Sequence, residues 1–590
     1  MKLGEILDRR GVMALLALLF VALFLFDIGG RTLSSPDEGR YVEIPREMVE
    51  SGDYVLPRLN GILYFEKPPL FYWLEASAIK VFGISEWSMR LWPALLGLFG
   101  CWMTYAFGRH FYGRTAGVVS AGVLATTLLY YALARFIILD MAEAVFMTAA
   151  LFAFLLSAEE KEERRALWWA RAGHAAAALA VLSKGLIGVL LPGLVGLVWV
   201  VMLGRWSFVR RAFCPSGILI FLAIATPWHA LAAMRNQDFL WFYFVHEHLL
   251  RFTTDVHRRE GPLWYFVGVL AVGFLPWTGY LWNAVKEALP ASWARRRERP
   301  VELFLILWAG VIFVFFSVSS SKLPPYILPI FPPLALLTGR LLAPRLEAME
   351  KDDLPIGRIF FIGIFALLAI GVPVAYLTPI FAANEDVGPY LDIVAPFVIA
   401  MAAIFAALVI AAIVLPRRYG IGATVASVTL AGVLGWTGVS LVASAADPNS
   451  VKPVADVINT YRKPGEIVAS YGTLFYDLPP YIDDKVLVVD NTGEFVFGMS
   501  QEDVSRYLTD SAQFAKMWNG EQRMYMVART RYFRTWEAEG LARRMCIIKR
   551  TNRAVAAANY RVLDAEGRSI CDPWYDHEGG SSQGTEGPRS

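Results

Sequence analysis

Apolar runs long enough to cross a bilayer alternate with short polar loops along most of this chain. Runs of about 17 to 25 apolar residues centre near residues 20, 97, 124, 147, 175, 195, 223, 273, 310, 333, 368, 403 and 432, which predicts about thirteen spans. The first run, Val12 to Ile28, has no small-residue cleavage site behind it and reads as a retained helix rather than a signal peptide. From about Ala446 the pattern changes. Short apolar strands (Ile467 to Tyr471, Val486 to Val489, Met524 to Val527, Met545 to Ile548) alternate with helix-like runs (Val454 to Tyr461, Glu502 to Lys516, Thr535 to Arg544), the rhythm of a small α/β unit. The predicted architecture is a polytopic α-helical membrane domain over 1–445, a soluble α/β domain over 446–575 and a disordered tail over 576–590.

Composition agrees with that pattern. Of the 590 residues, 56% are hydrophobic and only 18% charged, against roughly 25% charged in soluble proteins. A net charge of +3, with the basic residues in short clusters between apolar runs, excludes nucleic acid as a partner. Those clusters fix sidedness. With the N-terminus cytoplasmic, Arg109 to Arg114, Lys161 to Arg165, Arg205 to Arg211, Arg295 to Arg299, Arg340 to Lys351 and Arg417 with Arg418 all fall on the cytoplasmic side, as the positive-inside bias requires. The opposite side receives the first loop, Arg135, Lys184, the segment 234–261, Ser319 to Lys322 and everything after about Ala446. Charges on that side run against the bias and are the candidates for function. Cys101 and Cys214 read as small buried hydrophobes, whereas Cys546 and Cys571 share the outer domain, where a disulfide is open to them in an oxidising compartment.

The densest polar insert is the first loop, residues 34–85, with Asp37, Glu38, Arg40, Glu43, Glu66 and Lys67 between apolar segments. Ser35, Pro36 and Glu38 spell a capping box with Ser35 at the N-cap. That reading leaves Asp37 free, on one helical face with Arg40 and Tyr41, either as a helix-starting anion or as a catalytic carboxylate. Further on, Pro68 forces Lys67 into extended backbone. Glu66 and Lys67 there are either part of an interfacial aromatic belt or a pair that handles a metal and a phosphate. No Walker sequence, Gly-rich dinucleotide turn or Cys/His finger occurs, so no nucleotide cofactor is expected.

The signatures SPDEGRY and YFEKPP, followed by RLWPALLG, resemble the bacterial aminoarabinose lipid A transferases, which are GT-C membrane glycosyltransferases related to the protein O-mannosyltransferases. Further motifs follow in the family's order: FIILDMAEA with Asp140, VLSKGLIG with Lys184, WFYFVHEHLLRF with Glu247, His248 and Arg251, and SSSKLPPYILP with Lys322 and Tyr326. All lie on the side assigned to the exterior by charge alone. The resemblance implies a GT-C fold with amphipathic juxtamembrane helices in the first large loop, placed in the bacterial inner membrane. It implies transfer of a sugar, 4-amino-4-deoxy-L-arabinose, from an undecaprenyl-phosphate donor to lipid A or another periplasmic acceptor, by a monomer seated in the lipid bilayer. It makes Asp37 catalytic. It makes Arg40, Tyr41, Lys67, Arg135, Asp140, Lys184, Arg251, Lys322 and Tyr326 substrate-binding, and Glu66 with His248 ligands of a divalent, zinc-like metal.

Bland readings stand beside several of these roles. Arg135 and Asp140, one apolar turn apart, can pair structurally, and Lys322 can snorkel at a span end. If the acceptor is a hydroxyl, Asp37 must take its proton; if it is a lipid A phosphate, no strong base is needed. A sibling transferase acting on protein or another glycan fits the same motifs. A lipid flippase fits the hydropathy, but not the clustering of charge at one face or the lack of an inverted repeat.

Overall fold

The structure is a computed structural model, and it describes residues 9–250, 261–349, 351–378, 388–447, 450–538, 544–572 and 574–576. Each of the thirteen predicted centres falls on or at the end of a helix. Among the described residues, eight helices of at least 18 residues are apolar enough to cross a membrane, and the bent pair Tyr265–Gly273 and Thr278–Ala288 makes up to nine. Arg10–Leu25 and Ile187–Leu203 are shorter apolar helices. This is a multi-pass membrane protein. The tail beyond 576 and Arg251 lie outside the described residues.

The two ends of the helical bundle differ in chemistry. At one end the basic loops lock onto neighbouring helix termini. Arg205 pairs with Glu159, Arg296 donates to the Met202 carbonyl at 2.7 Å, and Arg345 pairs with Glu287 at 2.8 Å. At the other end the first loop folds into helices Asp37–Ser51 and Leu70–Phe82, with a two-residue antiparallel ladder, Arg58–Leu59 on Ile62–Leu63, between them. Here they meet the segment after Arg235, the turn 319–330 and the soluble domain.

That domain holds a seven-stranded mixed sheet. Ile467–Tyr471, Leu487–Val489, Leu508–Thr509 and Met524–Arg529 run parallel, and Arg544–Arg550, Ala554–Ala558 and Trp574–Asp576 join antiparallel. The four expected strands are all present, and Lys452–Tyr461 is the expected first helix. Two expected helices are corrected. The run 502–516 divides, because residues 508–509 pair at the sheet edge and Asp510 then caps a shorter helix, Ser511–Trp518, by accepting from the Gln513 amide at 2.7 Å; an N-cap carboxylate is a strong start signal. The next helix is Thr530–Ala538, residues 539–543 of the expected run lie outside the described residues, and at Arg544 sheet pairing overrides helical propensity. A disulfide joins Cys546 to Cys571, while Cys101 and Cys214 are buried free thiols.

The domain is bolted to the loop helices. Asn60 exchanges two 2.8 Å hydrogen bonds with the backbone of Val486. Arg58 pairs with Glu502 at 2.8 Å, and Lys452 with Glu86 at 2.5 Å. Gly39 lies so close to the Tyr476–Asp477 backbone that a Cβ would sit 2.4 Å from it. Any larger residue there would push the soluble domain off the helix.

Candidate active site

Helix Asp37–Ser51 begins at Asp37, with Pro36 as its N-cap and no side chain capping it. The expected capping box is therefore absent. Ser35 bonds instead to the buried Asp477 of the soluble domain, whose pKa burial raises against the opposing pull of Arg553 and Ser35. Glu38 does accept from the Ser34 amide at 2.9 Å, but its main partners are cations. Arg90 grips both carboxylate oxygens at 2.9 and 2.8 Å, Arg31 adds a 3.0 Å bond, and the Ile137 amide a fourth contact at 3.1 Å. The buried carboxylate is held below its ordinary range, because the Arg90 and Arg31 charges outweigh burial. Arg90 comes from RLWPALLG, so two of the sequence signatures meet in a structural lock.

The next residues round the helix are different. Asp37 is 44% exposed at its side chain, 3.6 Å from Arg40. Arg40 is buried, donates to Glu494 of the soluble domain at 2.8 Å, and lies 5.0 Å from the Tyr476 ring centroid. Burial opposes its charge, but Tyr64, Glu494, Tyr41 and Tyr476 together hold it firmly protonated. The Tyr64 hydroxyl donates to the second Glu494 oxygen at 3.2 Å. Tyr41 packs edge-on against Phe71 at 6.3 Å and tilted on Tyr72 at 6.2 Å. Its hydroxyl pKa is pushed up, first by burial and then by the fields of Asp37, Asp140 and Glu66 against that of Arg40. The charges of carboxylates from three separate motifs are thus felt at one tyrosine.

Two lysines extend the site. Lys184 ends helix Glu163–Lys184, ion-pairs with Asp140 at the start of Leu139–Glu159, and lies 4.7 Å from the centroid of the Tyr326 ring. Gly185 follows with φ +106°, a conformation that favours glycine, so the helix stops where its lysine meets the site. Lys67 donates to the Glu66 carbonyl at 2.9 Å and lies 3.7 Å from the buried Glu247. Glu247 belongs to the π-helical turn Trp241–Leu250 and is bonded to His246 at 3.1 Å.

The structure therefore brings together Asp37, Arg40, Tyr41, Glu66, Asp140, Lys184 and Tyr326, with Lys67 on Glu247 beside them. It sets two expected residues apart. Arg135 does not pair with Asp140, which belongs to Lys184; its guanidinium bonds the Phe24 carbonyl at 2.8 Å and the Ser440 hydroxyl at 3.0 Å, in a separate cavity behind Glu38. Lys322, buried, donates to the Ser319 carbonyl of its own loop at 2.6 Å. The side chain of His248 lies outside the described residues. Among the described residues no three His, Cys, Asp or Glu side chains converge as metal ligands, so Glu66 offers one carboxylate toward the expected metal. Glu494, Tyr476 and Tyr64 were not anticipated. The first two lie in loops of the soluble domain with no motif around them, and Tyr64 looked like part of an aromatic belt.

A family model for dolichyl-phosphate-mannose-protein mannosyltransferases matches residues 12–285, and one for the aminoarabinose transferase C-terminal domain matches 454–559. An undecaprenyl phosphate-alpha-4-amino-4-deoxy-L-arabinose arabinosyl transferase of Edwardsiella ictaluri is 29% identical over 519 residues, covering 86% of this chain and 91% of that protein. An enzyme of the same name from Proteus mirabilis is 32% identical over 366 residues, covering 60% and 64%. Among solved structures, ArnT from Cupriavidus metallidurans bound to undecaprenyl phosphate superposes with a TM-score of 0.83 at 31% identity, over 95% of this chain and 99% of that one.

Proposed function

This chain belongs to the aminoarabinose transferase family of polyprenyl-phosphate-dependent membrane glycosyltransferases, and from that premise we propose that it moves 4-amino-4-deoxy-L-arabinose from undecaprenyl phosphate to a phosphate of lipid A on the periplasmic side of the inner membrane. The observation that carries this reading is the Lys184–Asp140 ion pair under the Tyr326 ring, with the charges of Asp37, Glu66 and Asp140 all felt at Tyr41. In the transfer, an acceptor phosphate oxygen attacks the anomeric carbon, and the bond from that carbon to the donor phosphate oxygen breaks with its electron pair. Charge therefore builds on the departing lipid phosphate. Lys184 and Lys67 are fixed cations on which it can develop, and fixed charges act without reorganisation. An ionised acceptor phosphate needs no base, so Asp37 positions the acceptor and balances positive charge on the sugar ring. Glu494, shared by Arg40 and Tyr64, supplies the counter-charge that a protonated amino sugar requires.

Incubating the purified protein with a polyprenyl-linked labelled aminopentose and lipid A is expected to give lipid A heavier by one sugar, measured by mass spectrometry. Movement of the donor without a new glycosidic bond would identify a flippase instead, and label on protein would identify a sibling transferase. We also propose a divalent metal held by Glu66 and His248, which when bound would act as a Lewis acid toward phosphate oxygens. Elemental analysis is expected to find less metal in purified Glu66→Gln than in wild type; equal content removes Glu66 as a ligand.

A further inference from the structure

Behind the Glu38 lock is a cavity of about 180 Å³ whose mostly apolar wall carries a few charged residues, bounded by the end of the first helix, helix Leu128–Leu133 and the last span, Ile421–Ala445. Arg31, Arg90 and Arg135 all line it, with Asp27. Their charges are not equally engaged. Arg90 grips both Glu38 oxygens and also bonds the carbonyls of Ile28, Arg31 and Thr32, so its donors are used. Glu38 is saturated in turn. Asp27 accepts from Ser444, and Asp447 from Thr32. Arg135 is different. It is only 8% exposed, yet its described hydrogen bonds go to two backbone carbonyls and a hydroxyl, none to a carboxylate. Arg31 has Glu38, which it shares with Arg90, and it remains partly open at the cavity. Both guanidiniums are braced by rings, Arg31 at 5.1 Å from the Phe136 centroid and Arg135 at 5.3 Å from that of Tyr131.

Burial opposes the Arg135 charge, and Tyr131 and Asp27 favour it only in part, Asp27 without a hydrogen bond to it; a buried guanidinium so incompletely paired is expensive unless a further anion reaches it, and the rigid fork of arginine suits phosphate oxygens. The mouth of the cavity shows where such an anion would come from. Val439 lines it and is 47% exposed. It sits on the span-length apolar helix Ile421–Ala445, whose exposed faces are the ones suited to lipid. A basic pocket between spans, open sideways to lipid, has the form of a headgroup site.

We propose that Arg135 and Arg31 bind the phosphate headgroup of an anionic phospholipid from the leaflet that carries the active site, in a cavity separate from that site. The bound lipid bridges the first and last spans beside the helix that presents Asp37. Native mass spectrometry of the full-length protein, titrated in detergent with phosphatidylglycerol, is expected to show one lipid retained by the wild type. Retention falls by about tenfold, the loss of one good charged contact, in Arg135→Gln. It is lost in Ala132→Trp, which fills the exposed mouth and leaves every charge in place. Lys184→Ala is expected to retain the lipid as wild type does, and neither phosphatidylethanolamine nor inorganic phosphate is expected to compete. Equal retention in wild type, Arg135→Gln and Ala132→Trp overturns the proposal. So does loss of the lipid in Lys184→Ala, which would put it in the active site. Competition by inorganic phosphate or by phosphatidylethanolamine overturns it too, because the site would then read a free anion or any phospholipid.

Discussion

Asp37 and Glu38 are adjacent carboxylates in the first turn of one helix, and they face opposite fates. Glu38 is fully buried and spends both oxygens on two arginines and two backbone amides, tying the first loop to the spans that begin near Arg90 and Ile137. Asp37 is nearly half exposed, beside an arginine already claimed by the soluble domain. One helical step of about 100° separates a group that holds the fold from one that is available to a substrate. Burial and saturation make the difference, since the side chains differ by a single methylene.

The largest effect that tests this contrast is expected from Glu38→Ala. Removing one partner of a buried pair leaves Arg90 uncompensated, at about 3 to 5 kcal/mol, so little monodisperse protein should survive size-exclusion chromatography. Well-behaved Glu38→Ala would show that the lock is not structural. Asp37→Asn is expected to do the reverse: a melting temperature and donor binding equal to wild type, with transfer reduced by about 10² or more, the scale of losing one preorganised electrostatic contact to the transition state. Wild-type turnover in that variant would remove Asp37 from catalysis.

Glu494→Gln falls between them. It keeps the shape of the group and removes its charge, so Arg40 loses a charged hydrogen bond of about 1.5 to 3 kcal/mol. Activity should fall by about tenfold or more, mostly in KM if Glu494 serves the amino sugar. An unchanged KM for the donor would show that Glu494 only fastens the soluble domain.

A change confined to stability concerns Glu75, fully buried with both oxygens unbonded on helix Leu70–Phe82. Burial, and then the Glu38 charge, push its pKa well above the ordinary 4.5. The folded state therefore holds a proton that the unfolded chain gives up. The stability this contributes is present below pH 4.5 and is lost as pH rises toward the folded pKa, at up to about 1.4 kcal/mol per pH unit. Glu75→Gln should match wild type in melting temperature near pH 5 and exceed it increasingly at pH 7 and 8. Parallel melting curves across that range would show that Glu75 is ionised in the fold.

Much of the site was legible in the chain. Charge in a hydrophobic sequence is costly unless it is used, so Asp37, Arg40, Glu66, Asp140 and Lys184 stood out and meet around Tyr41 and Tyr326. The failures have a common physical origin. Glu38 fitted a local capping rule, but two distant arginines outcompeted the local backbone. Arg135 had the right sign, but the fold across the four residues before Asp140 places it at another cavity. Glu494 and Tyr476 sit in soluble-domain loops whose composition is ordinary for a surface.

What the sequence by itself determined was the class of the molecule: span-length apolar runs, a sidedness set by basic loops, an α/β domain after the last span, and a family signature in the first loop. These are properties of short stretches and of transfer between water and hydrocarbon, which need no knowledge of neighbours. Only the tertiary structure decided which of two adjacent carboxylates is locked and which is open, that Asp140 belongs to Lys184 rather than Arg135, and that the soluble domain lends Glu494 to Arg40. Those outcomes depend on burial and on competition among partners hundreds of residues apart, and neither is encoded in any local pattern.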